Sequence, residues 1–520
     1  MESLAQVIDR HARRTPERLA FVAGDARLTW RGYAEGSDRV AEQLLRAGLR
    51  AGERVGVLLP DGPGVHLAYV AAEKAGLTVV GIGPRAGADE IRHLLTRTQA
   101  SALLSAAAHR EHDLRALVAG LRAEGLPLEH HFLVEGELLD ASRLARDGGS
   151  TPAAVPAQAK PLGPADLFLL NSTSGTTGLP KCVMHDQQRW FAFHALAVEA
   201  ADLSSRDVFC SALPTPFGFG IWTAHVTPAL LGAPCVLLPR FDAEALVREL
   251  ARWRVSVLAA VSTQFILMLE TKALAATALT HLRVLFTGGE AVPYARAAAF
   301  EERTGARVLQ FYGSNETGAL SRTTLRDSRD VRLRTAGRVI DSMQVRLFDD
   351  DGRDVTSSGR GQPGCKGALT SAGYYGDEAA NRELFTRDGW MLTGDVVEID
   401  ADGVLRVVGR KADFIIRGGK NVSAAAVEEA VATHEAVALA AAVAMPDPIF
   451  GERVCVYAEL LPGTSLELAE LVAHLLARGV SVEYLPERLV VVDALPRSSG
   501  GKIAKGALRA DIARRIGAGE

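Results

Sequence analysis

Between residues 54 and 98 the chain alternates strand and helix in short units, and this alternation limits its fold more than any other feature. RVGVLLP (54–60) is a β-rich run, and GVHLAYVAAEKAG (64–76) has helical apolar spacing and ends on glycine. LTVVGIG (77–83) is β-rich again, and ADEIRHLLTRT (88–98) is helical again. SVLAAV (256–261), RVLFTGG (283–289) and RVLQFYG (307–313) continue the pattern. A strand that rejoins its sheet after a helix runs parallel to its neighbour, so α/β layers with largely parallel sheets are expected. At 520 residues the chain is too long for one core. Its character changes after about residue 405. GVLRVVGR (403–410) runs into a charged loop, and a helix (424–434), strands (438–445 and 454–460), a helix (466–479) and a strand (488–495) follow. In that second helix Leu468, Leu471, Val472, Leu475 and Leu476 share one face, and Gly479 suits a left-handed stop. The expected organisation is a large N-terminal domain of layered α/β subdomains over 1–409 and a small α+β C-terminal domain over 410–520. The Pro-, Ala- and Gly-rich segment 148–164 reads as a surface connection within the large domain.

Bulk properties exclude several classes. A formal net charge of −4 gives no footprint for nucleic acid. Cys182, Cys210, Cys235, Cys365 and Cys455 have no CxxC spacing, which argues against a zinc site and a disulfide framework and for a reducing compartment. The N-terminus MESLAQVIDRHARRTPERL is polar and helix-like rather than a secretory signal. The Ala/Val run near Val437 to Met445 is too short to span a bilayer. A cytoplasmic protein without a membrane span is expected.

The stretch STSGTTGLPK (172–181) follows the apolar run LFLL (167–170). Glycines let backbone N–H groups approach oxygens closely, hydroxyls add donors, and Lys181 adds positive charge, which together suggest a polyphosphate cradle. It is not the GxxxxGK[ST] loop, because Pro180 precedes the lysine and no Ser or Thr follows. The string resembles the phosphate-loop motif of the adenylate-forming (AMP-binding) superfamily, which includes acyl- and aryl-CoA ligases, aryl-acid adenylating enzymes, peptide-synthetase adenylation domains and luciferases. Four further motifs follow in the family's order: FYGSNETG (311–318), DGWMLTGD (388–395), GRKADFIIRGG (409–419) and LPRSSGGK (495–502). The resemblance therefore covers essentially the whole chain. It implies a small C-terminal domain that is mobile.

The resemblance also implies roles. ATP and a carboxylate would form an acyl-adenylate, and a thiol, from CoA or a carrier-protein phosphopantetheine, would then displace AMP. Thr173, Ser174, Gly175, Thr176, Thr177, Gly178 and Lys181 would hold phosphates. Tyr312 would lie against the adenine, with Gly288, Gly289 and Glu290 lining its other side, and Gly313 and Ser314 would also contact the nucleotide. Glu316, with Thr176, would serve Mg2+, since a hard cation wants oxygen ligands. Asn315 stands where relatives carry Thr or Ser donating to the α-phosphate, and an amide also donates. Asp395 and Arg410 would bind the ribose, and Lys502 would be the catalytic lysine of adenylation. Gly418 and Gly419 would line the thiol tunnel, and Ala412 holds the hinge position, where relatives carry Asp or Lys.

The acid pocket is expected from ALPTPFGFGIW (212–222), STQFILM (262–268), FTGG (286–289) and FYGSNETG. Phe217, Phe219, Phe265 and Phe311 would form an apolar, partly aromatic wall, joined by Gly218, Thr287 and Gly313. Peptide-synthetase relatives place an Asp at the position aligned with Gly218, and relatives acting on 2-hydroxybenzoates an Asn. Glycine does neither job, which argues against an α-amino acid and more weakly against a salicylate-like acid. The leading reading is an acyl- or aryl-CoA ligase for an apolar acid (aromatic, alicyclic or medium-chain), as monomer or homodimer. A stand-alone enzyme that loads a carrier protein is the alternative. Lys502, Glu316, Asp395 and the phosphate loop together speak against a non-catalytic nucleotide-binding protein.

Overall fold

The computed structural model describes residues 1–135, 144–146, 159–172, 180–290, 292–417, 420–497 and 502–517. Two large sheets dominate. In the first, strand Leu19–Ala23 lies beside Cys235–Leu237, followed by Phe209–Ser211, Val257–Ala259, Val284–Gly288 and Arg307–Ser314, all parallel. Antiparallel strands close both edges. In the second, Leu169–Ser172, Thr78–Gly81, Arg54–Leu58, Ala102–Ser105 and His130–Leu133 are parallel. Helix Pro63–Ala75 is buried along almost its whole length between the sheets, which is why its sequence is apolar nearly all round, and Gly76 ends it in the left-handed conformation (φ 78°).

The motif-bearing strand Arg307–Ser314 is held from below. Arg332 and Glu301 form a buried ion pair, and Glu301 Oε1 also accepts from the backbone N–H of Val308 at 2.9 Å. The pair therefore ties helices Tyr294–Thr304 and Arg329–Arg334 to the root of this strand.

A third, antiparallel sheet includes Asp395–Ile399 and Leu405–Arg410. The chain leaves it through the short turn Lys411–Asp413 and enters the last sheet at Phe414–Arg417. That last sheet, with the long hairpin Val437–Asp447 and Gly451–Leu460, packs helices Ala424–Val431 and Leu468–Ala477 on one face and helix Lys505–Gly517 on the other. Leu471 and Leu475 are buried as the helical spacing requires, whereas Leu476 is 49% exposed, because the helix presents a narrower stripe than expected. No helix among the described residues is long and apolar enough to cross a membrane.

Removing one partner of a buried ion pair leaves the other charge unpaired and costs about 3–5 kcal/mol. Glu301→Ala is expected to destabilise the protein by that order in chemical denaturation, while substitution of an exposed partner such as Glu42 changes stability by less than about 1 kcal/mol.

Candidate active site

Strand Arg307–Ser314 ends in a self-closed turn. Ser314 Oγ accepts from the backbone N–H groups of Glu316 and Thr317, and Ser314 N–H donates to Thr317 Oγ1 at 3.0 Å. The Ser314 hydroxyl thus shapes the turn that presents Asn315 and Glu316. Behind it lies a residue that the motifs do not contain. Arg189 is buried and donates to the carbonyls of Leu369 and Asn315, each at 2.9 Å. Burial lowers its pKa to about 10, so it remains cationic near neutrality. Arg189 also contacts His185 Nδ1 at 2.5 Å. A guanidinium only donates. His185 Nδ1 therefore accepts, and its Nε2–H donates to Asn171 Oδ1 at 2.7 Å. Asn171 lies in the strand Leu169–Ser172 that leads into the loop STSGTTGLPK. One chain of hydrogen bonds, Asn171–His185–Arg189, thus joins the root of that loop to the turn carrying Glu316.

Tyr374 is the second residue missing from the motif reading. Its hydroxyl donates to Glu316 Oε1 at 2.8 Å, and its ring lies 4.9 Å from Lys181 Nζ. Burial and the neighbouring carboxylate raise the phenol's pKa, so the group stays a donor.

Asp395 and Arg410, from separate motifs, are cross-strand partners. Arg410 Nε lies 3.8 Å from Asp395 Oδ1, and Tyr312 Oη donates to Asp395 Oδ2 at 2.8 Å. Burial raises the Asp395 pKa, opposed by the Tyr312 hydrogen bond and the nearby cations. Lys502, from the small domain, reaches this same place. A Cβ built on Gly289 would lie 3.1 Å from Lys502 Nζ, and Gly289 itself is left-handed (φ 79°), so a side chain here would strain the backbone and crowd the ammonium. Withdrawal from water lowers the Lys502 pKa, while Glu290, Asp395 and Glu316 oppose that shift. Glu290 is fixed by the backbone N–H of Thr263 at 3.2 Å. Ala412 sits in the turn Lys411–Asp413; Lys411 pairs with Asp350 at 2.7 Å on the large-domain side, and Asp413 with Arg509 at 3.0 Å on the other. Thr173, Ser174, Gly175, Thr176, Thr177, Gly178, Gly418 and Gly419 lie outside the described residues.

At the expected acid pocket, Gly218 begins a helical turn that widens into π-type hydrogen bonding over Ile221–Val226, a form common at functional sites. Phe219 stacks on Trp222 at 5.4 Å, and Trp222 also meets Phe311 and Phe286. Phe217 is partly exposed and lies against Gly83. Phe265 stands apart from this cluster: it is fully buried edge-on to Phe300, in the core over the other sheet face, because the helix Ser262–Leu269 turns it inward. Gly288 is pressed against the Phe311 carbonyl and Gly313 against that of Gly318, while Thr287 is fully buried. Among the described residues, Thr287 Oγ1 and Trp190 Nε1 are buried without a hydrogen-bond partner. The loop before Gly218 is anchored by Asp61, whose Oδ1 accepts from Thr215 N–H at 2.8 Å.

Residues 8–375 match the AMP-binding enzyme family, and residues 426–502 match the AMP-binding enzyme C-terminal domain. The chain belongs to the AMP-binding enzyme family. It is 29% identical over 524 residues to the medium-chain fatty-acid–CoA ligase of Escherichia coli (strain K12), covering 99% of this chain and 91% of that protein. It is 32% identical over 528 residues to the salicyl-AMP ligase / salicyl-S-ArCP synthetase of Mycobacterium tuberculosis (strain ATCC 25618 / H37Rv), covering 99% and 91%. Its fold is similar to that of the anthranilate CoA ligase AuaEII in complex with anthranoyl-AMP, with a TM-score of 0.87 at 23% identity, covering 99% and 98% of the two chains.

Burial raises the Asp61 pKa from 3.8 to about 6. Between those values the folded protein holds a proton that the unfolded chain has released, so this group's contribution to stability falls as pH rises from about 4 to about 6. Asp61→Asn keeps the acceptor for Thr215 and cannot titrate. Thermal and urea unfolding should show wild type losing about 2 kcal/mol relative to the variant across that window, after allowance for partial exposure.

Proposed function

We propose that this AMP-binding enzyme is an acid–thiol ligase that activates an apolar carboxylic acid, aromatic in preference, with ATP and passes the acyl group to a thiol. The observation that carries the reading is Lys502, brought from the small domain against Gly289 and near Glu290, Asp395 and Glu316. The first step joins two anions: a carboxylate oxygen attacks the α-phosphorus, the bond to the β-phosphate breaks, and acyl-adenylate and pyrophosphate result. A fixed ammonium beside both reactants offsets their repulsion and costs no reorganisation as charge builds. Asp395, Arg410 and Tyr312 hold the ribose side of the nucleotide. Glu316 offers a carboxylate, oriented by Tyr374, of the hard-oxygen type that suits Mg2+. When bound, that ion neutralises phosphate charge.

In the second step the thiol sulfur attacks the acyl carbonyl, and AMP leaves. The site of attack lies where Lys502 stands, so the lysine has to withdraw. The turn Lys411–Asp413, where the chain passes between sheets, supports a hinge there, with 1–409 and 410–520 as the moving parts. CoA is the acceptor in the favoured reading, and similarity to a salicyl-S-ArCP synthetase keeps a carrier protein as the alternative. Five free, buried cysteines support the expected reducing, cytoplasmic setting.

Pyrophosphate exchange across benzoates, cyclohexanecarboxylates, straight-chain acids and amino acids tests the acid class. Exchange with apolar acids is expected, and exchange with amino acids alone contradicts the reading. A second expectation concerns pH. Lys502 acts as an ammonium, and its pKa is lowered, so kcat/KM for ATP falls on the alkaline side before an ordinary lysine would titrate. Glu290→Gln removes the strongest charge opposing that shift, and the alkaline limb should move to lower pH. An unmoved limb contradicts the assignment of the limb to Lys502.

A further inference from the structure

Gly218 and Asn315 come from different motifs, 97 residues apart, and meet. Gly218 N–H donates to Asn315 Oδ1 at 3.0 Å. A backbone N–H only donates, so the amide oxygen faces Gly218 and Nδ2 faces away. Among the described residues Nδ2 has no hydrogen-bond partner. A Cβ built at 218 would stand 2.2 Å from Oδ1 and 3.1 Å from Cη2 of Trp190. The carboxamide of Asn315 therefore fills the space that a side chain at 218 would occupy. The glycine leaves room for the amide that arrives from the turn after strand Arg307–Ser314.

Resting on the proposed acid pocket, we propose that Asn315 is a specificity-determining residue whose Nδ2 donates to an oxygen on the ring carbon next to the one bearing the carboxyl, so that the preferred substrates are 2-hydroxyaryl acids. Position follows from the neighbours. The reacting carboxylate has to meet Lys502 at Gly289, and Asn315 directly precedes Glu316, so the part of the acid within reach of residue 315 is the part beside its carboxyl group. Chemistry follows from the donor. Two N–H groups suit an oxygen acceptor and repel an ammonium, which is itself a donor. The stacked Phe219–Trp222 pair suits a planar ring. The six-membered ring of Trp190, whose Cη2 would stand 3.1 Å from a Cβ at 218, adds a further flat apolar surface. The lack of a polar side chain at 218 thus does not exclude a salicylate-like acid, because the amide is supplied from 315.

The test is pyrophosphate exchange with 2-hydroxybenzoate and benzoate as probes. Wild type should favour 2-hydroxybenzoate about tenfold or more in kcat/KM. Asn315→Ala should bring that ratio close to one. Gly218→Asn alone should lose exchange with both acids, because its side chain collides with Asn315. Gly218→Asn combined with Asn315→Ala returns an amide to the same space and should restore both exchange and the preference. If Asn315 instead serves the α-phosphate, Asn315→Ala lowers both acids equally, the ratio stays, and the proposal is overturned. Wild type that exchanges both acids equally well overturns this inference while sparing the ligase reading. Wild type that exchanges with no aryl acid overturns the aryl pocket itself.

Discussion

One partly buried charge organises the site. The ammonium of Lys502 is carried by the small domain yet placed among carboxylates of the large one, against a glycine that leaves it room. Desolvating an ammonium costs several kcal/mol unless opposite charge repays it. Here the repayment comes from Glu290, Asp395 and Glu316, each in a different motif. Separate pieces of sequence are thereby bound to one electrostatic task. In the proposed reaction, bound ATP would add negative charge and favour the lysine's presence, and departure of pyrophosphate would remove part of that attraction. The ion pairs on either side of Ala412 (Lys411 to Asp350, Asp413 to Arg509) then hold the turn without a polar side chain at residue 412 itself.

A buried cation, Arg189, ties the large domain together at this point. Arg189 reaches the carbonyls of Asn315 and Glu316, and through His185 it reaches Asn171 at the root of the loop STSGTTGLPK. The nucleotide motifs sit on different sheets, so their spacing depends on such a strut. Tyr374 adds a second tie by orienting Glu316 beside Lys181. Glu316 is therefore held from two sides, by the turn beneath it and by Tyr374.

Much of the fold was legible in the sequence because its information is local. Apolar runs such as LTVVGIG and the spacing in ADEIRHLLTRT each state their own conformation, and the strand Thr78–Gly81 and helix Ala88–Thr98 lie where they are expected. Motif residues such as Asp395, Arg410 and Tyr312 could be named, but their direct contacts are cross-strand facts that no local pattern encodes. Arg189, His185 and Tyr374 went unread for the same reason: their partners lie far along the chain. Phe265 shows the converse limit. An apolar residue in a helical segment looks the same whether it faces a pocket or a core, and only packing against Phe300 decides it. Gly218 is the clearest case, since the meaning of an absent side chain depended on Asn315.

The central claim is that Lys502 serves adenylation and then leaves the site to the thiol. The direct measurement is to compare the two half-reactions in Lys502→Ala. Acid-dependent pyrophosphate exchange should fall by at least about a thousandfold, in line with loss of a fixed charge at a transition state. Thioester formation from supplied acyl-adenylate should stay within a few-fold of wild type. Equal loss of both half-reactions would contradict the account.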